Sequence, residues 1–228
     1  MSFTIAIDGP AGAGKSTIAK KLAQELSFIY VDTGAMYRAM ALYFLRSGID
    51  AKDEERLRWA VENVQITISC TAEGQQVFLN GEDVTGLIRK EEVGNMASAT
   101  SGYPFVREKL LGLQRKLAAE NDVIMDGRDI GTCVLPHAQL KVYLTASVHI
   151  RALRRYRELQ EKGETADLLS VEEDIARRDE QDMHREIAPL AAAADARILD
   201  SSAMDIGEVT AAILEMAAAA GLGRKEEI

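Results

Sequence analysis

Cysteine is scarce in this 228-residue chain. Cys70 and Cys133 stand far apart and without metal-ligand spacing, so neither a disulfide framework nor a thiolate metal site is expected. No apolar run is long enough to cross a bilayer, the longest being stretches such as Ala39–Leu45. The N-terminus enters a strand-like segment at once, without the basic start and apolar core of a signal peptide, and a soluble cytoplasmic protein is the expectation. Basic residues are outnumbered, 27 Lys and Arg against 36 Asp and Glu. The resulting formal net charge of −9 speaks against a nucleic-acid groove, although local basic clusters can still hold small anions. His137, His149 and His184 lack ligand spacing. There is no repeat, low complexity is limited to short alanine runs such as Ala191–Ala194, and the Gly221–Ile228 tail reads as frayed. What is there, 47% hydrophobic residues, suffices for one α/β domain with an insert or for two small domains.

One motif is complete. Gly9, Pro10, Ala11, Gly12, Ala13, Gly14, Lys15 and Ser16 spell G-x-x-x-x-G-K-S directly after the apolar run Phe3–Ile7. Beyond Thr17, residues Ile18, Ala19, Leu22, Ala23 and Leu26 recur at helical spacing, so the loop joins a strand to a helix N-terminus whose positive dipole end faces an anion. The spelling follows from the chemistry. Glycines let backbone N–H groups close around phosphate oxygens, Lys15 reaches the β- and γ-phosphates, and the Ser16 hydroxyl can ligate Mg²⁺. A nucleoside triphosphate is the expected ligand.

Short apolar runs at Phe3–Ile7, Phe28–Val31, Val123–Met125, Lys141–Leu144 and Arg197–Leu199 read as buried strands separated by helical stretches, which favours a parallel sheet with helices on both faces. Gly34–Arg46 and Phe105–Ala119 read as two of those helices, the second opening behind Pro104. Residues 64–85 break the rhythm. Val64, Ile66 and Ile68 alternate, and Val77 and Leu79 precede Asn80-Gly81, the signature of a small antiparallel sheet. An insert is placed at 63–102, between the acidic helix Asp53–Asn63 and the polar stretch Ser98–Gly102, with residues 1–62 and 103–228 as the core. Arg151, Arg154, Arg155 and Arg157 cluster before Gly163 and suggest a short lid over about 151–165, with a solvated helix face as the alternative.

A phosphate loop alone serves kinases, GTPases and motors alike. No Asn-Lys-x-Asp guanine reader is present. Two segments instead follow strands, Asp32-Thr33-Gly34-Ala35-Met36-Tyr37-Arg38 and Asp126-Gly127-Arg128-Asp129-Ile130-Gly131-Thr132, at the strand ends where open α/β sheets bind ligands. Together with the phosphate loop, Val106-Arg107-Glu108 and the run Arg177-Arg178-Asp179, Asp182 and Arg185, they resemble bacterial cytidylate kinases in order from about residue 3 to residue 200.

The resemblance implies an α/β phosphate-loop kinase with a five-stranded parallel sheet flanked by helices, a small antiparallel insert and a short lid, transferring the γ-phosphoryl of ATP to CMP or dCMP with Mg²⁺. It also implies the site. Residues 9–17 hold ATP, with Ser16 toward the metal. Thr33, Arg107 and Asp129 read the base, Ser98, Arg178 and Asp182 lie near the pentose, and Arg38, Arg128 and Arg185 bind the acceptor phosphate. Lys15 and those three arginines are the catalytic set. The chemistry agrees independently. Cytosine offers an N4 donor beside N3 and O2 acceptors, which calls for a carboxylate next to an arginine or hydroxyl, and a phosphate calls for planar, permanently charged donors. For Asp129 the alternative is a carboxylate capping its own turn, and for Asp126 a metal-linked role stands beside a capping one. A monomer acting on small nucleotides, with no nucleic-acid or membrane partner, is expected. The rival functions are a phosphate-loop kinase for another small acceptor and a nucleotide-dependent switch.

Overall fold

A computed structural model describes residues 2–71, 74–161 and 163–223. Part of the tail expected to fray, residues 224–228, lies outside the described residues. β1 (Thr4–Asp8) is buried along its whole length and passes through the phosphate loop into α1 (Lys15–Leu26). β2 (Ile29–Asp32) runs straight into α2 (Thr33–Arg46), where the Asp32 side chain accepts the Ala35 N–H as an N-cap. α3 (Glu54–Asn63) leads to the hairpin β3 (Ile66–Thr71) and β4 (Gly74–Leu79), then β5 (Glu82–Asp83), a 3₁₀ turn at Leu87–Arg89 and α4 (Glu91–Thr100). The chain returns to the sheet through α5 (Pro104–Glu120), β6 (Val123–Gly127), a π-helical turn Ile130–Val134 and β7 (Leu140–Thr145). α6 (Val148–Glu161), α7 (Leu168–Met183), β8 (Arg197–Asp200) and α8 (Ile206–Ala219) complete it.

The five long-range strands form one parallel sheet in the order β2-β6-β1-β7-β8. Both faces are covered, as a parallel sheet requires. Ile18, Leu22, Val209 and Ile213 of α1 and α8 pack with Ile5, Ile7 and Val142 on one side. Met36, Met40, Phe44, Val106 and Leu110 of α2 and α5 pack with Ala6, Val31 and Met125 on the other. All five expected strands are present, and each reaches past its apolar run into a polar residue. That extension matters for the site, because register sets Asp32 beside Asp126 and Asp8 beside Gly127, bringing three buried carboxylates to the carboxyl edge of the sheet.

β3, β4 and β5 form the expected antiparallel sheet, and the β4–β5 turn has Asn80 and Gly81 both at positive φ, 50° and 87°, as a two-residue hairpin demands. Val77, Leu79, Val84, Ile88 and Val93 belong to the same apolar cluster as α2. The end of the insert carries a helix that periodicity did not mark. Ser98 sits inside α4, and Thr100 and Ser101 are buried, so the polar stretch 98–102 is a packed helix end and its connection rather than an exposed linker.

Candidate active site

The phosphate loop closes against the sheet edge. Gly9 has φ +151°, and a Cβ there would lie 2.0 Å from the Leu144 carbonyl oxygen, so only glycine lets the loop leave β1 beside β7. Gly14 caps α1 in the left-handed region, φ 86°, with no side chain taking the first helical N–H groups. Those donors and the helix dipole converge where Lys15 is buried. The Lys15 ammonium donates to the Pro10 carbonyl at 2.7 Å. Burial, reinforced by the charge of Arg128, pulls its pKa down to about 7.

Three further contacts brace the loop. The Ala11 N–H donates to Asp179 at 3.2 Å, and Arg151 donates to the Ala11 carbonyl at 2.8 Å while pairing with Asp179 at 2.6 Å. Arg154 reaches the Ala13 carbonyl at 3.5 Å and the Ser201 carbonyl at 2.7 Å. Of the arginines expected to line a lid, Arg151 is thus buried against the loop, Arg154 lies between the loop and Ser201, and Arg155 pairs outward with Glu158 at 2.9 Å. Arg157 is exposed.

At the helix start, the Ser16 hydroxyl donates to Asp126 at 2.9 Å and the Tyr30 hydroxyl to the same carboxylate at 3.0 Å. Burial, with Asp32 nearby, raises the Asp126 pKa to about 6. Hydroxyl and carboxylate oxygens side by side suit a hard cation that arrives with phosphates. No group of three or more His, Cys, Asp or Glu able to hold a metal exists among the described residues. Asp8, not singled out from the sequence, accepts the Ile130 and Gly131 N–H groups at 2.7 Å each and so pins the turn after β6 to the residue before the phosphate loop. Its burial raises its pKa to about 6. Its place at a strand end, next to the motif, was the available signal.

The other expected residues gather beside this edge. Arg107 pairs with Asp129, both nearly buried, and its guanidinium lies 5.6 Å from the centre of the Tyr37 ring. The Thr33 hydroxyl donates to the Asp126 carbonyl at 2.7 Å. Arg128 and Arg185 share the Asp182 carboxylate, Arg128 at 2.8 Å. Burial and the neighbouring Arg128 and Arg107 charges lower the Arg185 pKa to about 10, and burial lowers Arg38 and Arg128 also. Arg38 forms no ion pair among the described residues, although Asp32 is near. Arg178 donates to Asn95 at 3.1 Å, and together with Ser98, Arg177, Gln181 and Arg185 these residues line a cleft of about 410 Å³ between α4 and α7. Burial, and then the neighbouring arginine charges that further lower Arg185 and Arg38, leave an electrostatic deficit that an anion relieves.

A phosphate loop at the carboxyl edge of a parallel sheet, with a cluster of arginines beside it, defines a phosphate-loop α/β protein. Comparison narrows the class. The cytidylate kinase family model matches residues 5–219, and the chain belongs to that family. It is 50% identical over 214 residues to a cytidylate kinase from Caldicellulosiruptor saccharolyticus, covering 94% of this chain and 95% of the relative. With a cytidylate kinase from Carboxydothermus hydrogenoformans it shares 47% identity over 224 residues, covering 98% and 99%. A solved structure of an uncharacterised protein from Eubacterium ventriosum superposes with a TM-score of 0.54 at 13% identity, over 96% of this chain and 99% of that one, a likeness of fold alone. The chain is a nucleoside monophosphate kinase with ATP as co-substrate. No helix among the described residues is long and apolar enough to cross a membrane.

Proposed function

We propose that the chain transfers the γ-phosphoryl group of ATP to CMP or dCMP, giving ADP and CDP or dCDP, in a Mg²⁺-dependent in-line reaction. The observation that carries this reading is the Arg107–Asp129 pair beside Tyr37, next to the Arg38, Arg128 and Arg185 cluster. A carboxylate facing cytosine N4 and an arginine facing N3 and O2 match that base, while uracil would present its O4 acceptor to the carboxylate. Thr33 adds a hydroxyl to this base-reading set, and Ser98, Arg178 and Asp182 address the pentose. Arg38, Arg128 and Arg185 hold the acceptor phosphate, whose oxygen is already anionic and needs no general base.

On the donor side, residues 9–17 cradle ATP, with Lys15 exchanging the Pro10 carbonyl for phosphate oxygens. Ser16 and Asp126 would hold Mg²⁺, which supplies charge neutralisation on the β- and γ-phosphates. Positioning and electrostatics do most of the catalysis. The insert at 63–102 and the segment 151–165 are the parts that close over the substrates, on a core of residues 1–62 and 103–228. The enzyme is read as a monomer without nucleic-acid partners, in keeping with its net charge of −9.

The test is phosphotransfer from ATP to CMP, dCMP, UMP, AMP and GMP, with and without Mg²⁺. CMP and dCMP should lead in kcat/KM, and activity should vanish with a chelator. A preference for another monophosphate or a hydroxy acid selects the rival kinase, and ATP turnover indifferent to every acceptor selects the switch.

A further inference from the structure

β2 is the edge strand of the parallel sheet, and no strand ladder joins its outer side among the described residues. Alternate residues of a strand present their peptide groups to the same side, so Tyr30 and Asp32 face outward while Ile29 bonds inward to the Asp122 carbonyl. These outward groups are met by side chains of the hairpin. Gln75 of β4 accepts the Asp32 N–H at 2.7 Å and donates its amide to the Asp32 carbonyl at 3.2 Å. Only one orientation of the Gln75 amide satisfies both, because Asp32 offers one donor and one acceptor. Its cross-strand partner Cys70 points its thiol at the Tyr30 carbonyl, 3.9 Å away. From the same insert, Arg89 pairs with the Asp32 carboxylate at 2.9 Å.

We propose that Gln75 is a positioning residue that latches the insert to the acceptor side of the active site, through the backbone of Asp32. This rests on the acceptor-site reading given above. Asp32 ends β2, caps α2 and is followed at once by Thr33, and Arg38 lies about one and a half turns further along α2. A side-chain amide here does the work of one residue of a neighbouring strand. Where the insert goes, the peptide that sets Thr33 and the start of α2 goes with it. Gln75 makes no hydrogen bond to the phosphate loop among the described residues, so the latch reaches the donor site at one remove, through Asp32 and its sheet neighbour Asp126, and acts first on the acceptor side.

The test compares wild type with Gln75→Leu, which fills the space without either hydrogen bond, and with Gln75→Met as a second variant in case leucine impairs folding. Losing two neutral, half-buried hydrogen bonds should raise KM for CMP about three- to tenfold. The value of kcat should stay within about twofold, KM for ATP should rise clearly less than KM for CMP, and amide exchange at Asp32 should accelerate. Unchanged KM for CMP with accelerated exchange would overturn the proposal, since the latch would be broken without consequence. Equal rises in both KM values would overturn it too, as a general loss of structure. If wild type prefers another monophosphate, the base-reading assignment fails by itself, and the same ratios measured with that acceptor still decide the latch.

Discussion

Replacing Lys15 by methionine should make the protein more stable and inactive at once. The ammonium is buried, bonded only to the Pro10 carbonyl among the described residues, and its pKa falls from 10.5 to about 7, chiefly through burial and then through Arg128. A shift of that size sets a ceiling of about 5 kcal/mol on the native-state cost of the charged form. Losing a hydrogen bond from a charged donor offsets about 1.5–3 kcal/mol of it. A net gain of about 2–3 kcal/mol at pH 7 remains, or a Tm rise of about 6–9 °C for a chain of this size.

The sign with pH follows from linkage. Between about 7 and 10.5 the unfolded chain holds the Lys15 proton and the native state does not, so wild-type stability rises across that window. Methionine has nothing to titrate. The advantage of Lys15→Met should therefore be full at and below pH 7 and should fade toward pH 10.5. Denaturant unfolding of both proteins at pH 6.5 and pH 10 measures this, beside a coupled phosphotransfer assay in which kcat should drop at least about a hundredfold. A variant less stable than wild type at pH 7, or a gap unchanged with pH, would refute the reasoning about burial. A folded variant with near wild-type kcat would remove this loop from the donor site.

Three other outcomes are expected. Asp129→Asn should raise KM for CMP and narrow the CMP-to-UMP ratio of kcat/KM by about tenfold, because the amide can donate to uracil O4; an unchanged ratio means Asp129 does not read the base. Alanine at Arg38, Arg128 or Arg185 should lower kcat/KM for CMP while calorimetric ATP affinity holds, and matching losses of ATP affinity would move that arginine to the donor side. ATP hydrolysis without an acceptor should run far below phosphotransfer, and CMP with ATP should slow hydrogen exchange in both the 63–102 insert and the 151–161 helix. Hydrolysis as fast as turnover with CMP would refute closure.

Local chemistry made much of this protein legible in one dimension. The phosphate loop is a contiguous solution to binding an anion at a helix start, so its residues, its strand and its helix are all readable from spacing. Buried parallel strands announce themselves as apolar runs, and the Asn80-Gly81 turn fixes a hairpin by its own backbone preference. The tertiary structure alone decided what depends on partners distant in sequence. Asp8 meets Ile130 and Gly131 across 122 and 123 residues, Gln75 meets Asp32 across 43, and Arg151 meets Ala11 across 140. An arginine on an amphipathic helix has the same spacing whether it faces water or a loop carbonyl, so periodicity could not distinguish Arg155, paired at the surface, from Arg151, buried under the phosphate loop. The helix over Ser98 was hidden for a related reason, because Gly94, Ser98 and Thr100 are weak helix formers and packing against α2 supplies the stability that local propensity lacks. Covalent order fixes which groups are available, and the fold fixes which carboxylate each buried cation meets, because only the packed interior makes an unpaired charge costly enough to choose a partner.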